Sequence, residues 1–368
     1  MKRIGIDIRM SRHTGIGRYI RGMVGALENG SRKLEYLLIG SENSRSDFRG
    51  LPFRSTAIPI YSFQEQAMLP FAAGACDCLH VPHYNAPVFW NRKLVVTIHD
   101  LIHLHFQDYL PSPLAAFYAQ TVLPLVVQKT TAIIVVSEYT KKDLVETLRV
   151  DPKKVTVIYH GVDPIFALSQ NSSGPENHSK PPESHEPYFL YVGLIKAHKN
   201  IGVLLEAFQH LKKELVFPGL KLRLIGTPDR KQLVVRRWLE VIGRDPNIIL
   251  ESGIGDDQLR KLYQFATALI FPSLCEGFGF PLIEAMACGT PIICARSSSI
   301  PEVVGEKAGL YFDPHSPLEL KNCMRRMVAG ADLRQQLIHE GFQRLPMFSW
   351  EEAARKTEKV YETALRTI

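Results

Sequence analysis

The sequence predicts an α/β protein made of two units, each built around a parallel sheet, and three observations carry that expectation. The chain has 368 residues, and at roughly 100–200 residues per domain that length provides two cores. Short runs of apolar, β-branched residues recur in two series with helix-length stretches between them; runs that are apolar throughout, not alternating, mark strands buried on both faces of a parallel sheet. Between the series, residues 168–187 are polar and proline-containing with no hydrophobic period, which is linker composition.

The first series comprises residues 4–8, 36–39, 94–98, 132–136 and 155–158, and the second residues 189–192, 222–225, 248–250, 268–271 and 291–294. The expected division is therefore a first domain over 1–167, the linker, and a second domain over 188–348. At the far end Ser349 stands three residues before Glu352, a capping box that opens a last helix over 349–368. Its candidate buried face is Ala353, Ala354, Val360, Tyr361 and Ala364.

With 45% hydrophobic residues and a net charge of +7, the chain is too apolar and too weakly charged for disorder. The basic residues at the start precede an apolar stretch too short for a signal peptide, and no run reaches the roughly 18 residues of a membrane span. Six cysteines lack any CxxC spacing, which argues against a zinc ribbon and for reduced thiols in the cytoplasm. The positive charge raises nucleic acid, membranes or anionic small molecules as partners. No aromatic-plus-basic segment accompanies it, so nucleic acid is not expected.

The densest chemistry lies in residues 271–293. A strand ends near Phe271, a glycine-bearing loop with Gly277 and Gly279 follows, and Pro281 sits where the first turn of a helix accepts it. Loop N–H groups and the positive end of the helix form an anion site. Glu276 and Glu284 flank it. Two readings stand side by side: Glu276 caps the turn while Glu284 is solvated on a helix face, or both carboxylates accept hydrogen bonds from hydroxyls. The second suits a ligand with phosphates in its middle and polyol ends, a nucleotide sugar.

The spacing Glu276-x7-Glu284, inside Pro-Ser-x-x-Glu-Gly-Phe-Gly and Glu-Ala-Met-Ala-x-Gly-x-Pro, resembles the donor-site signature of retaining glycosyltransferases of the GT-B fold, family 4 (group 1). Further segments in the family's order cover nearly the whole chain. Gly15-Ile-Gly17-Arg18-Tyr19 resembles the glycine loop after the first strand, and Thr-Ile-His99-Asp100-Leu resembles a strand end that places a histidine against the donor sugar. Val-Ser137-Glu-Tyr resembles a strand-to-helix turn. Tyr-Val-Gly193-Leu-Ile-Lys196-Ala-His198-Lys199-Asn resembles the diphosphate-binding turn, with His198 where arginine is usual, so that Lys196 is the candidate second cation. Residues 224–229 and Gly253-Ile254 resemble the frame of the nucleotide base.

The resemblance implies two Rossmann-like domains facing a central cleft, the last helix crossing back to the first domain, and closure over the donor. His99, Glu276 and Lys199 are the implied catalytic residues. The implied donor site adds Gly15, Gly17, Gly193, Lys196, Gly253, Ile254, Gly277, Phe278, Gly279, Phe280, Leu282 and Glu284; Arg18, Tyr19, Asp100 and Ser137 are candidates for the acceptor. No metal and no cofactor besides the nucleotide-sugar substrate are implied, and His99, His103 and His105 lack the carboxylate set of a metal site. Among branches of the family the motifs most resemble bacterial mannosyltransferases of O-antigen or exopolysaccharide assembly, which points to GDP-mannose. A UDP-sugar enzyme and a GT-B-like epimerase or phosphorylase are the alternatives. Residues 1–165 hold 19 Lys+Arg against 14 Asp+Glu, the remainder 25 against 23. The excess thus lies in the half expected to meet a glycan or lipid-linked acceptor at an anionic membrane face.

Overall fold

The structure, a computed structural model, describes residues 1–30, 33–48, 50–106, 113–167, 186–214 and 219–367, with backbone alone for Phe63 and residues 113–119. Two compact units result, one of Met1–Gly161 with Phe348–Ile368, the other Val162–Met347.

In the first unit the order is β1 (Arg3–Asp7), α1 (Gly15–Glu28), β2 (Glu35–Gly40), β3 (Phe53–Ser55), α2 (Phe63–Ala73), β4 (Cys78–Val81), β5 (Lys93–Ile98), α3 (Ile102–His105), α4 (Pro113–Lys129), β6 (Ala132–Val135), α5 (Glu138–Leu148) and β7 (Val155–Val157). The strands form one parallel sheet, β3-β2-β1-β4-β5-β6-β7. Ile4 of β1 lies opposite Tyr36 of β2 and Cys78 of β4. Because β1, β4, β5 and β6 are covered on both faces, nearly every one of their side chains is buried, as parallel strands require.

The second unit runs β8 (Tyr188–Val192), α6 (Ile201–Lys213), β9 (Lys221–Ile225), α7 (Leu233–Arg244), β10 (Ile248–Glu251), α8 (Asp256–Phe265), β11 (Ala268–Phe271), α9 (Phe280–Ala287), β12 (Ile292–Ala295), α10 (Ile300–Val304), β13 (Leu310–Phe312), α11 (Pro317–Ala329) and α12 (Ala331–Arg344). Its sheet is again parallel, β10-β9-β8-β11-β12-β13. In both sheets the order doubles back at the first strand, the crevice position where open α/β sheets place ligands.

The last helix, α13 (Trp350–Arg366), packs on α1 and belongs to the first unit. Ser349 caps it, its hydroxyl accepting from Glu352 N at 3.1 Å, and all five positions expected to be buried are buried together with Trp350 and Thr357. All six cysteines are buried and unpaired as disulfides.

Residues 162–167, expected to close the first domain, belong instead to the second. Phe166 is fully buried there, its ring edge-on to Tyr263 at 5.9 Å and its carbonyl accepting from Cys288 Sγ at 3.4 Å. The expected linker lies outside the described residues apart from its last two.

Candidate active site

In the second unit the loop from Pro272 to Gly279 joins β11 to α9, and the fold fixes it from two sides. From the first, Leu274 N donates to His198 O at 2.8 Å, and Asn200 Nδ2 donates to Pro272 O and Pro314 O at 3.2 and 2.7 Å. From the other, three successive serines strap it: Ser297 Oγ donates to Ser273 O (2.7 Å), Ser298 Oγ accepts from Glu276 N (2.9 Å), and Ser299 Oγ donates to Glu276 O (2.9 Å). Gly279 closes the loop at φ +100°, where a Cβ would meet Leu282 Cδ1 at 2.9 Å. Only glycine adopts that turn without strain.

This frame presents Glu276 to Lys199. Lys199 Nζ lies 2.6 Å from Glu276 Oε1, with the two side chains 19% and 9% exposed. Lys196, four residues before Asn200, is half-buried, whereas His198 is buried with its carbonyl spent on the loop. Of the two replacements for the usual arginine, Lys196 is thus the one solvent reaches. Glu284 is only 2% exposed, and its Oε2 accepts from the Tyr263 hydroxyl at 2.9 Å.

Phe278 and Phe280 meet edge to face with centroids 6.1 Å apart beside the buried Gly277. Leu282 is wholly buried, and its N–H is bonded to Gly279 O at 3.0 Å. Its expected donor contact is corrected to a core position that wedges Gly279. Gly193 (φ +149°) and Gly226 are forced by close approach, since a Cβ on Gly226 would lie 1.8 Å from Gly193 O. Gly253 (φ +73°) is open on all sides, and Ile254 beside it is half-buried.

In the first unit β5 delivers His99, half-buried, with Nε2 3.0 Å from Pro82 O. A carbonyl only accepts, so Nε2 carries the proton and Nδ1 is left as an acceptor. Burial pushes the His99 pKa down to about 4, against the Pro82 bond, so the neutral ring holds at neutral pH. The edge of the Tyr19 ring packs on it with centroids 5.0 Å apart, and the His160 ring lies at 5.6 Å.

Several acceptor candidates are corrected. Tyr19 is buried, its hydroxyl on Thr97 Oγ1 at 3.0 Å; it positions His99 and faces no acceptor. Ser137 is fully buried and caps α5 by accepting from Thr140 N at 3.0 Å. Gly17 is required by packing, because a Cβ there would lie 2.5 Å from Ser11 O, whereas Gly15 is open. Arg18 stays half-exposed, and Asp100 spends Oδ1 on Ile102 N at 3.0 Å. His103 stacks on Tyr84 at 4.4 Å and His105 pairs with Asp143 at 2.8 Å, so the three loop histidines have separate partners.

A buried cluster at the ends of β1 and β4 escaped the sequence reading. Arg9 grips Asp7 with Nε on Oδ1 (2.9 Å) and Nη2 on Oδ2 (2.6 Å), and also bonds Glu65. Asn85 donates to Glu65, and His83 Nε2 faces Asp7 Oδ2 at 3.6 Å. Burial alone would raise the Asp7 pKa, yet Arg9 and His83 hold it well below the carboxylate range. For Glu65 burial wins and its pKa is raised. Asp7, Glu65 and His83 have a metal-like ligand spacing, but the Arg9 guanidinium already sits between the two carboxylates and supplies the positive charge. Isolated polar residues after a strand give no periodic signal, which is why the pattern was silent.

The model described as Glycosyltransferase Family 4 matches residues 14–166 and that of Glycosyl transferases group 1 matches residues 174–344. The chain is a family-4, group 1 glycosyltransferase. An Escherichia coli O-antigen chain mannosyltransferase B is 26% identical over 77% of this glycosyltransferase and 73% of the relative. The Salmonella typhimurium O-antigen chain mannosyltransferase RfbU is 28% identical over 69% and 66%. The serotype-specific mannosyltransferase WbdA of Escherichia coli is 28% identical over 78% of this chain, which spans only 35% of it.

Among solved structures, a sucrose-phosphate synthase from Thermosynechococcus elongatus superposes with a TM-score of 0.78 at 19% identity, covering 99% of each chain. Anabaena HepE in complex with UDP-glucose gives 0.74 at 17%, covering 99% and 100%. These likenesses show the fold, the two Rossmann-like parallel-sheet units of the GT-B class.

Proposed function

We propose that this glycosyltransferase moves mannose from GDP-mannose to a glycan or lipid-linked saccharide, with retention of anomeric configuration and without a metal. The observation that carries the reading is the Lys199–Glu276 pair at 2.6 Å, a cation suited to diphosphate beside a carboxylate suited to sugar hydroxyls, on a loop tied down at both ends. As the bond to the leaving diphosphate breaks, negative charge grows on its oxygens, and Lys199 stabilises it with charge-assisted hydrogen bonds. Lys196 is the second cation. Glu276 accepts hydrogen bonds from substrate hydroxyls and orients them, the bare Nδ1 of His99 is a further such acceptor, and Glu284, held by Tyr263, serves the ribose.

The names of the curated relatives support mannose. UDP-glucose in HepE supports a UDP-sugar as the second reading. A thermal-shift and donor-hydrolysis screen over GDP-mannose, UDP-glucose, UDP-galactose and ADP-glucose, with Glu276→Ala as control, separates them. Stabilisation and turnover by GDP-mannose alone are expected; a response to another donor only would exclude the mannosyl reading. Lys199→Ala raises the donor KM or abolishes turnover, and unchanged donor kinetics would remove Lys199 from the site.

Among the described residues no helix is long and apolar enough to cross a membrane. The first unit instead exposes Met68 (50%), Phe71 (88%), Phe89 (74%) and Leu125 (46%). Gln66 ties α2 to the Phe89 loop through Ala86 O and Val88 N, and Lys129, one turn beyond Leu125, reaches Val88 O. Arg54 and Arg92 bond the C-terminal end of α2. Exposed apolar side chains with cations on neighbouring segments of the same unit suit an anionic leaflet that carries the acceptor. Salt-sensitive cosedimentation with phosphatidylglycerol vesicles, lost on Phe71→Ser with Phe89→Ser, is the expected result; no binding at low salt would remove the membrane from the reading.

A further inference from the structure

We infer that Lys199 and Glu276 neutralise each other only while the donor site is empty, and that a nucleotide sugar binds by exchanging their partners: Lys199 turns to the diphosphate and Glu276 to the sugar hydroxyls. This rests on the nucleotide-sugar reading above and adds what happens when the sugar has gone.

The frame confines the exchange to two side chains. Glu276 has its backbone N–H on Ser298 and its carbonyl on Ser299, both at 2.9 Å. Lys199 is followed by Asn200, whose side chain bonds two carbonyls across the loop. Neither backbone has to move, whereas the lysine stem swings on four carbons. Among the described residues Glu276 is the one partner of the Lys199 ammonium.

A diphosphate competes with Glu276 for the ammonium, and a bare nucleoside diphosphate that takes it leaves Glu276 without its cation in a site where the side chain is only 9% exposed. An intact nucleotide sugar removes that penalty, because its hydroxyls donate to the released carboxylate. After transfer the sugar is gone, Glu276 reclaims Lys199, and the nucleoside diphosphate is expelled. The same carboxylate that orients the sugar therefore ejects the product.

The test turns on the sign of one variant. GDP, UDP and ADP are titrated calorimetrically into wild type, Glu276→Gln, Glu276→Ala, Lys199→Met and the Lys199→Met/Glu276→Gln double variant, each checked for an intact thermal transition. Whichever diphosphate binds wild type is expected to bind Glu276→Gln about five- to tenfold tighter, the scale of a part-buried ion pair, with stronger product inhibition and a lower kcat. Glu276→Ala shifts the same way, so the result does not depend on one variant folding. On the Lys199→Met background the Glu276→Gln change gives no tightening. Equal or weaker binding to both Glu276 variants, or tightening that persists without Lys199, overturns the exchange while the nucleotide-sugar reading stands. Failure of wild type to bind any of the three overturns both.

Discussion

The Trp350 indole fills the space that a side chain on Gly22 would need: a Cβ built on Gly22 lies 2.1 Å from Trp350 Cε2. The same tryptophan closes on Gly161, where a Cβ would lie 2.3 Å from Trp350 N. The C-terminal helix is thus seated by insertion of its first residue between two glycines. Gly25, one turn further along α1, has nothing within 4 Å of its Cβ position. Gly22→Ala should therefore lower stability by about 1–3 kcal/mol through overpacking, while Gly25→Ala leaves it unchanged or raises it by about 0.5–1 kcal/mol through helix propensity. Thermal denaturation of the two alanine variants decides, and equal shifts would contradict the insertion.

Arg9→Met tests the buried cluster. With side chains 3% or less exposed, Arg9, Asp7 and Glu65 form a charge set closed to water, and removing the cation strands two carboxylates. Breaking a buried pair costs about 3–5 kcal/mol, which should appear in the urea midpoint. Arg296→Met, which removes an exposed pair with Glu306, should leave the midpoint nearly unchanged. Similar losses from both would mean that the cluster is solvated.

Ten of the thirteen strands among the described residues follow from apolar runs in the sequence; β3, β4 and β13 do not. β3 and β13 are three-residue edge strands like β7, but neither sits in an apolar run that continues past its ends: β3 reads Phe-Arg-Ser, and β13 is bounded by Gly309 and Asp313. β4 is different: it lies between β1 and β5 at the centre of its sheet, yet reads Cys-Leu-His-Val. His80 breaks the apolar run, and tertiary contacts make it acceptable, with Tyr361 OH on Nδ1 at 2.6 Å and Thr97 Oγ1 on Nε2 at 2.8 Å. Local pattern cannot report a partner 281 residues away. Lys199 and Glu276 were legible one by one because their motifs resemble a family; the ion pair between them, the Arg9 cluster and the hydrogen bonds of the serine strap, each assembled from segments distant in sequence, were not.

His80 also sets a pH dependence. Burial pushes its pKa down to about 3, and that of His99 to about 4, both below the roughly 6.5 of the unfolded chain. Between those values the unfolded chain binds more protons, so this stability is fully present above about pH 6.5 and is lost as pH falls toward the folded values. The urea midpoint should drop from pH 7 to pH 5. His80→Gln, which offers a donor and an acceptor but does not titrate, should be less stable at pH 7 yet show a shallower drop. An unaltered slope would mean that folded His80 takes up its proton in this range as readily as the unfolded chain does.

Ser299→Ala isolates the strap from the chemistry. Its hydroxyl donates to Glu276 O at 2.9 Å and, more distantly, to Phe278 O at 3.5 Å, both backbone carbonyls, so its loss acts through the placement of the loop that carries Glu276. Ser297→Ala removes a comparable bond, 2.7 Å to Ser273 O, three residues further from the carboxylate. Each should cost about 1 kcal/mol of stability as a single neutral hydrogen bond. Only Ser299→Ala should lower kcat/KM by about tenfold, because a misplacement of about 1 Å at an orienting group reduces rates far more than it reduces stability. Ser299→Thr keeps the donor and should recover most of that activity. Matched losses of activity in the two alanine variants would make the strap general scaffolding and deny Ser299 a special part in aiming Glu276.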